Sequence, residues 1–353
     1  MARRPIHGLA VIGCGNMGRS HAAGAVESGR ARLIATVDRR PEAARALAER
    51  YGAALHSTDP RDILVRDDID VVVIATYPSS HRDFAVACLA AGKHVLLEKP
   101  LAPTMAQAEA IVRAAVRHGR KLRVGYILRH NRTYQRLIGL AHSGVLGSPL
   151  VMRMLGGEHI VTEEHWQQDL ALLTDTSPVI DCGCHYVDAM RWLTGAEAVR
   201  VSGAGCRLDP RVPEGSYDYG AITISFSDGS TGLYEVGWTR AYRNFSEKEV
   251  IGPTGRLRLT YAGERLDGPD RGDLIELHRP PSRCRRLHVP GHFKPVGRQL
   301  ADLFDCIEQD LDPMPAITDA MRSLQTVLAG DRAIRTGATQ HITVWQPPRV
   351  TLA

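Results

Sequence analysis

Leu9-Ala10-Val11-Ile12-Gly13-Cys14-Gly15-Asn16-Met17-Gly18 decides how the first third of this 353-residue chain is read. Four apolar residues in a row suit a strand buried on both faces, as in a parallel sheet covered by helices. The Gly-x-Gly-x-x-Gly pattern then opens a helix. Gly13 permits the tight turn, Gly15 lets a pyrophosphate approach the backbone, and Gly18 allows close packing of helix on sheet. Free N–H groups and a positive dipole end at the helix start suit phosphate. Asp38 closes the next apolar run, 20 residues after Gly18, where a carboxylate can bind ribose hydroxyls. The glycines alone could be turn glycines in a domain that binds nothing; strand, helix and acid in register favour a dinucleotide. Asp38 points to NAD, because a carboxylate repels a 2′-phosphate. Arg39 and Arg40 follow it, and a guanidinium stacks on adenine or holds that phosphate, so NADP stays open as the alternative.

Outward from this stretch, short apolar runs alternate with helical periods as far as residue 124, the pattern of parallel βαβ units. Strands are expected at 33–37, 71–75, 94–97 and 122–124, and helices at 41–51, 83–91 and 104–118. From residue 125 the strands alternate instead. Ile222, Ile224 and Phe226 share one face; after the Ser227-Asp228-Gly229-Ser230 turn, so do Tyr234, Val236 and Trp238. An Asp-Gly turn between alternating runs signals a hairpin. Further strands are expected at 255–261, 274–278 and 285–289, and helices at 131–143, 295–309 and 318–336. The expected fold class is α/β: a doubly wound parallel sheet over residues 1–124, then an α+β domain over 125–353 with a mostly antiparallel sheet.

Composition narrows the function classes. Lysine and arginine number 44 against 39 acids, for a net charge of +5. Only five of the 44 are lysines (Lys93, Lys99, Lys121, Lys248, Lys294). Basic and acidic residues are interspersed, so no nucleic-acid partner is expected. No run approaches the roughly 20 apolar residues of a membrane span, and no signal peptide is read at the N-terminus. Seven scattered cysteines suit reduced thiols in a cytoplasm. Cys182-Gly183-Cys184-His185 lacks the paired spacings of structural zinc, so no metal is expected.

Two further stretches carry chemistry. Glu98-Lys99-Pro100 ends the fourth strand at its carboxyl edge, where open α/β sheets bind ligands. Its bland alternative is a surface ion pair before a proline turn. Asp181 and His185 stand four apart on a helix expected from Ser177-Pro178 to Gly195, and so share one face. A neutral imidazole can take a hydroxyl proton while the adjacent carbon loses hydride, a carboxylate can orient that imidazole, and a lysine can polarise the same oxygen. Alone, the pair equally fits an N-terminal carboxylate and a helix-surface histidine.

Gly13–Gly18, the stretch from Ala90 to Ala102 with Glu98-Lys99-Pro100 at its centre, and Asp181, His185 and Asp188 together resemble the Gfo/Idh/MocA family of NAD(P)-dependent oxidoreductases over nearly the whole chain. The resemblance implies a Rossmann domain followed by a second domain on a large open sheet, whose exposed face forms homodimers or homotetramers. It implies that Lys99 contacts cofactor and substrate, and that Asp181 and His185 complete the catalytic site with His185 as acid/base. On the cofactor side it adds Asn16, Met17, Thr76, Tyr77, Pro78, His81 and Glu98. Departures are visible. Pro78 stands where many members have a cofactor-contacting asparagine, and Asp175-Thr176-Ser177-Pro178 replaces a common Gly-Gly pair. Near Tyr126, only Arg129 keeps plausible register. Tyr126, Arg129, His159, Trp166 and Tyr242 are candidate substrate residues, although polar aromatic side chains as often merely pack.

The expected activity is hydride transfer between NAD and a secondary hydroxyl or ketone of a sugar, cyclitol or sugar derivative. Two alternatives stand beside it: a glycosidase that oxidises and re-reduces its sugar through NAD, and a non-catalytic NAD(P)-sensing regulator. Intact Lys99, Asp181 and His185 argue against the sensor.

Overall fold

The structure, a computed structural model, describes residues 5–159, 162–239, 245–264, 272–291 and 294–347. The chain forms two compact units, Met1–Ile127 with Lys294–Ala320, and Leu128–Phe293 with Met321–Ala353. The sequence pattern divides the chain once, after residue 124. The structure divides it after Ile127, and residues 294–320 return to the first unit.

In the first unit β1 (His7–Ile12), α1 (Asn16–Glu27), β2 (Ala31–Val37), α2 (Pro41–Tyr51), β3 (Leu55–Ser57), α3 (Arg61–Leu64), β4 (Val71–Ile74), α4 (His81–Ala90), β5 (His94–Leu97), α5 (Met105–Arg117) and β6 (Leu122–Val124) alternate as expected, with β3 and α3 in addition. The six strands are parallel in the order β3-β2-β1-β4-β5-β6. The order reverses between β1 and β4, so right-handed crossovers place helices on opposite faces before and after that point. Leu9, Val11, Val71, Val73 and Leu96 are fully buried. The helix Val296–Gln309 adds Leu300, Leu303 and Phe304 to the same cluster. It lies so close to α1 that a Cβ on Gly24 would stand 2.8 Å from the Gly297 Cα. Buried Arg123 pairs with Asp302 of this helix, and Arg30 reaches Glu308 at 2.8 Å. The apolar stripe of this helix is plain in sequence, whereas its destination is set by that packing.

The second unit contains α6 (Arg132–His142), β7 (Val151–His159), α7 (Glu163–Leu173), α8 (Pro178–Asp181), α9 (Gly183–Thr194), β8 (Ala198–Cys206), β9 (Tyr219–Phe226), β10 (Thr231–Thr239), β11 (Phe245–Gly252), β12 (Gly255–Thr260), β13 (Asp273–Arg279), β14 (Arg283–Val289) and β15 (Gln340–His341). Along the chain, Val296–Gln309 is α10 and Ile317–Thr336 is α11. Nine strands form one sheet, β14-β13-β12-β11-β7-β10-β9-β8-β15, antiparallel except for β7 beside β10. The β9–β10 hairpin turns at Gly229, whose φ is +85°. The pairing puts Tyr234, Met154 and Lys248 in one row across β10, β7 and β11.

Candidate active site

In the first unit β1, β2, β4, β5 and β6 run parallel, so the residues following them emerge at one edge. Gly13 has φ +91°, and a Cβ there would stand 2.4 Å from the Ala75 carbonyl oxygen. At Gly18 a Cβ would fall 1.8 Å from the Gly13 carbonyl oxygen, so the helix could not lie so close with any larger residue. Gly15 meets nothing within 4 Å and is the N-cap of α1, with no side chain capping it. A loop open above Gly15, against an uncapped helix start, fits a dinucleotide pyrophosphate. Asn16 is exposed, and Met17 is half-buried.

Asp38, 9% exposed, ties this loop to β2. Its Oδ2 accepts the Cys14 N–H at 2.7 Å, and its Oδ1 accepts the Arg40 N–H at 2.9 Å. Burial, then the Asp38 charge, pushes the Cys14 thiol up to about 12, so this cysteine stays protonated beside the loop. Exposed Arg39 lies 5.8 Å from the centroid of the Tyr77 ring, itself exposed. These groups suit an adenosine moiety: a carboxylate for the ribose, a guanidinium and a ring for the base.

After β4, Thr76 hydrogen-bonds Ser80 through their hydroxyls at 2.7 Å, and Pro78 opens a single 3-10 turn. Buried His81 faces the Pro100 carbonyl with Nδ1 (2.9 Å) and the Thr76 carbonyl with Nε2 (3.1 Å), joining the turns after β4 and β5. The Lys99–Pro100 peptide is cis. Glu98 is not the surface residue of the bland reading: it is 6% exposed. Its Oε1 accepts from His21 Nε2 at 2.6 Å and its Oε2 accepts the Lys99 N–H at 3.2 Å. A Cβ on Gly125 would come within 2.9 Å of Glu98 Oε2, so the residue after β6 is kept small by that carboxylate. Lys99 itself is half-buried.

In the second unit the Ser177 hydroxyl caps α8, accepting the Ile180 N–H, and Gly195 ends α9 with φ +67°. The single helix expected between them is divided at Cys182. Around the break the His185 N–H bonds the Cys182 carbonyl at 3.2 Å, and the Cys184 thiol donates to the Asp181 carbonyl at 3.1 Å. Asp181 ends α8, His185 lies in the first turn of α9, and both are half-buried. Gly183 is required beneath that turn, because a Cβ would meet the Tyr234 ring at 2.9 Å.

Three of the candidate substrate residues hold internal partners. Arg129, 8% exposed, forks onto Asp188 at 2.7 and 2.9 Å and covers the Trp192 ring. Trp166 is fully buried and donates its indole N–H to Asp209 at 3.1 Å. Tyr126 is buried with its hydroxyl on the Ala320 carbonyl at 3.3 Å. The His159 side chain and Tyr242 lie outside the described residues. Among those described, the His/Cys/acid trio close enough to share an ion is Glu276, His278 and Cys284 on the β13–β14 hairpin, away from the Cys-x-Cys-His stretch. Glu276 there is already paired with Arg286 at 3.0 Å. Sequence reasoning missed the pairing of His21 with Glu98 in the first unit.

Residues 8–126 match the family model described as "Oxidoreductase family, NAD-binding Rossmann fold", and residues 134–258 match the GFO/IDH/MocA C-terminal domain. The chain is 31% identical to inositol 2-dehydrogenase 2 of Saccharopolyspora erythraea, over 71% of this chain and 72% of that one. It is 29% identical to the scyllo-inositol 2-dehydrogenase (NAD(+)) of Bacillus subtilis, over 95% and 96%. The crystal structure of aldose-aldose oxidoreductase from Caulobacter crescentus superposes with a TM-score of 0.82 at 28% identity, covering 96% of this chain and all of that one. No helix among the described residues is long and apolar enough to cross a membrane.

Proposed function

Because the chain belongs to the Gfo/Idh/MocA family of oxidoreductases and carries that family's NAD-binding Rossmann domain, we propose that it oxidises a secondary hydroxyl of a cyclitol or sugar, or reduces the corresponding ketone. The observation that carries this reading is the survival of both reactive clusters: Glu98-Lys99-Pro100 at the carboxyl edge of the parallel sheet, and Asp181 with His185 around the start of α9. Bound NAD supplies the hydride acceptor, and its reduced form the donor. The chain supplies the proton chemistry. His185 takes the hydroxyl proton as the alcohol is oxidised, Asp181 orients the imidazole and stabilises its cation, and Lys99 polarises the reacting oxygen. Glu98, fixed by His21, sets the turn that presents Lys99.

Relatives named for inositol support a cyclitol, and one named for aldoses supports a sugar. NAD is the preferred cofactor, with the Asp38 carboxylate against the ribose. The seven free cysteines support a reducing, cytoplasmic setting. Assembly as a homodimer or homotetramer through the nine-stranded sheet is the reading that family membership adds, and sedimentation of the purified chain decides it.

The test is absorbance of reduced nicotinamide across inositols, aldoses and amino sugars, first with NAD and then with NADP. Net NADH with a free polyol is the expected result. Aglycone release from a glycoside without net NADH would instead identify the glycosidase, and NAD binding without either reaction would identify a sensor.

A further inference from the structure

Lys248 is one of five lysines in the chain, and its side chain is 1% exposed. Its Nζ donates to the Leu155 carbonyl at 2.6 Å and lies 4.7 Å from the centroid of the Tyr186 ring. No carboxylate forms an ion pair with it among the described residues. Its partners in the sheet, Met154 on β7 and Leu259 on β12, are apolar. Tyr186 follows His185 in the first turn of α9, and three groups hold it: the ammonium, the Tyr234 ring stacked at 5.5 Å, and the Tyr261 side chain by a hydrogen bond. Tyr234 also fills the space left by Gly183.

We propose that Lys248 is a positioning residue for His185, acting through Tyr186: its ammonium seats the turn of α9 that presents the imidazole. The proposal rests on the reading of His185 as the acid/base. A buried cation with a carbonyl and a ring for partners weakens a fold relative to an apolar residue of similar size. Its place beneath the catalytic turn fits a residue kept for function at the expense of stability.

The charge is conditional. Burial pulls Lys248 down to about 8, against the opposing pull of Glu264 beyond β12, Glu247 on its own strand, and Cys182 between α8 and α9. The folded-state value lies below the unfolded one. The burial penalty is therefore complete at neutral pH and fades as the pH rises above about 8. Over that same rise Tyr186 loses its cation, and turnover falls.

The test uses the full chain with NAD and its polyol. Lys248→Met is expected to keep or raise Tm at pH 7, to hold the NAD Kd within about twofold, and to lower kcat about tenfold or more, the scale on which misplaced acid/base groups act. Lys248→Arg, whose charge persists at all working pH values, is expected to restore most of kcat and to move the alkaline fall above about pH 9. An unchanged kcat in Lys248→Met, or an alkaline fall that stays in place in Lys248→Arg, overturns the proposal. Failure of the wild type to oxidise any polyol would sink the dehydrogenase reading separately. Hydrogen exchange then decides the seating of α9. Faster exchange at the amides of residues 183–186 in Lys248→Met supports it, and unchanged exchange overturns it.

Discussion

Glu98 accepts a 2.6 Å hydrogen bond from His21, a fully buried residue of α1. The turn that carries Lys99 is thereby fastened to the helix whose first residues form the dinucleotide loop. Glu98→Ala leaves the His21 ring buried without its acceptor. The expected cost is about 1–3 kcal/mol of stability, the desolvation penalty of an orphaned polar group. Chemical denaturation measures it, and an unchanged midpoint would show that the bond contributes nothing.

Asp38 accepts the Cys14 and Arg40 N–H groups and is also the expected ribose ligand. Asp38→Ala should weaken NAD by about 10- to 100-fold, the loss of one or two charge-assisted hydrogen bonds. NADP should suffer less, because the substitution also removes repulsion toward a 2′-phosphate. Titration of both cofactors by fluorescence checks the ratio; equal losses refute the ribose role.

His185 and the glycine loop belong to different units of the chain. His185→Ala should therefore lower kcat by about 10²–10⁴, the usual worth of a general acid/base, with the NAD Kd unchanged. Lys99→Ala should also lose turnover. Full activity in Lys99→Ala would remove the catalytic assignment of that lysine.

Arg129 and Asp188 form a buried, two-bonded ion pair, with Ser323 also donating to Asp188 at 3.3 Å. Asp188→Ala takes both of these bonds from the buried guanidinium, at a cost of about 3–5 kcal/mol. Thermal unfolding is the measurement. Loss of activity without loss of Tm would instead favour Arg129 as a substrate ligand.

The parallel half was legible because its strands are apolar on both faces and its helices carry clear punctuation. Thr104 caps α5 through the Gln107 N–H, and Gly52 ends α2 in the left-handed conformation. Asp38, Lys99 and His185 stood out because their residue types are unexpected at strand ends or gain meaning from spacing. His21 did not, since a buried histidine has the same letter as a surface one in a chain with fifteen. Nor did β7, whose Gly156-Gly157 pair breaks the alternation that marks a half-buried strand. The break at Cys182 was invisible because Cys182 itself keeps helical angles; the ladder there is interrupted by local hydrogen bonding that composition does not encode. Lys248 was countable as a lysine, but its burial depends on strands paired far along the chain.

The return of residues 294–320 to the first unit bears on how the polypeptide is made. Leu300, Leu303 and Phe304 complete the nucleotide-binding core, yet they are translated after the whole of β7–β14. A growing chain that has emerged only to residue 127 holds all six parallel strands with one flank of α1 still bare. The first unit to begin synthesis thus cannot finish folding until most of the second has been made, and its apolar side waits for the ribosome to pass residue 320.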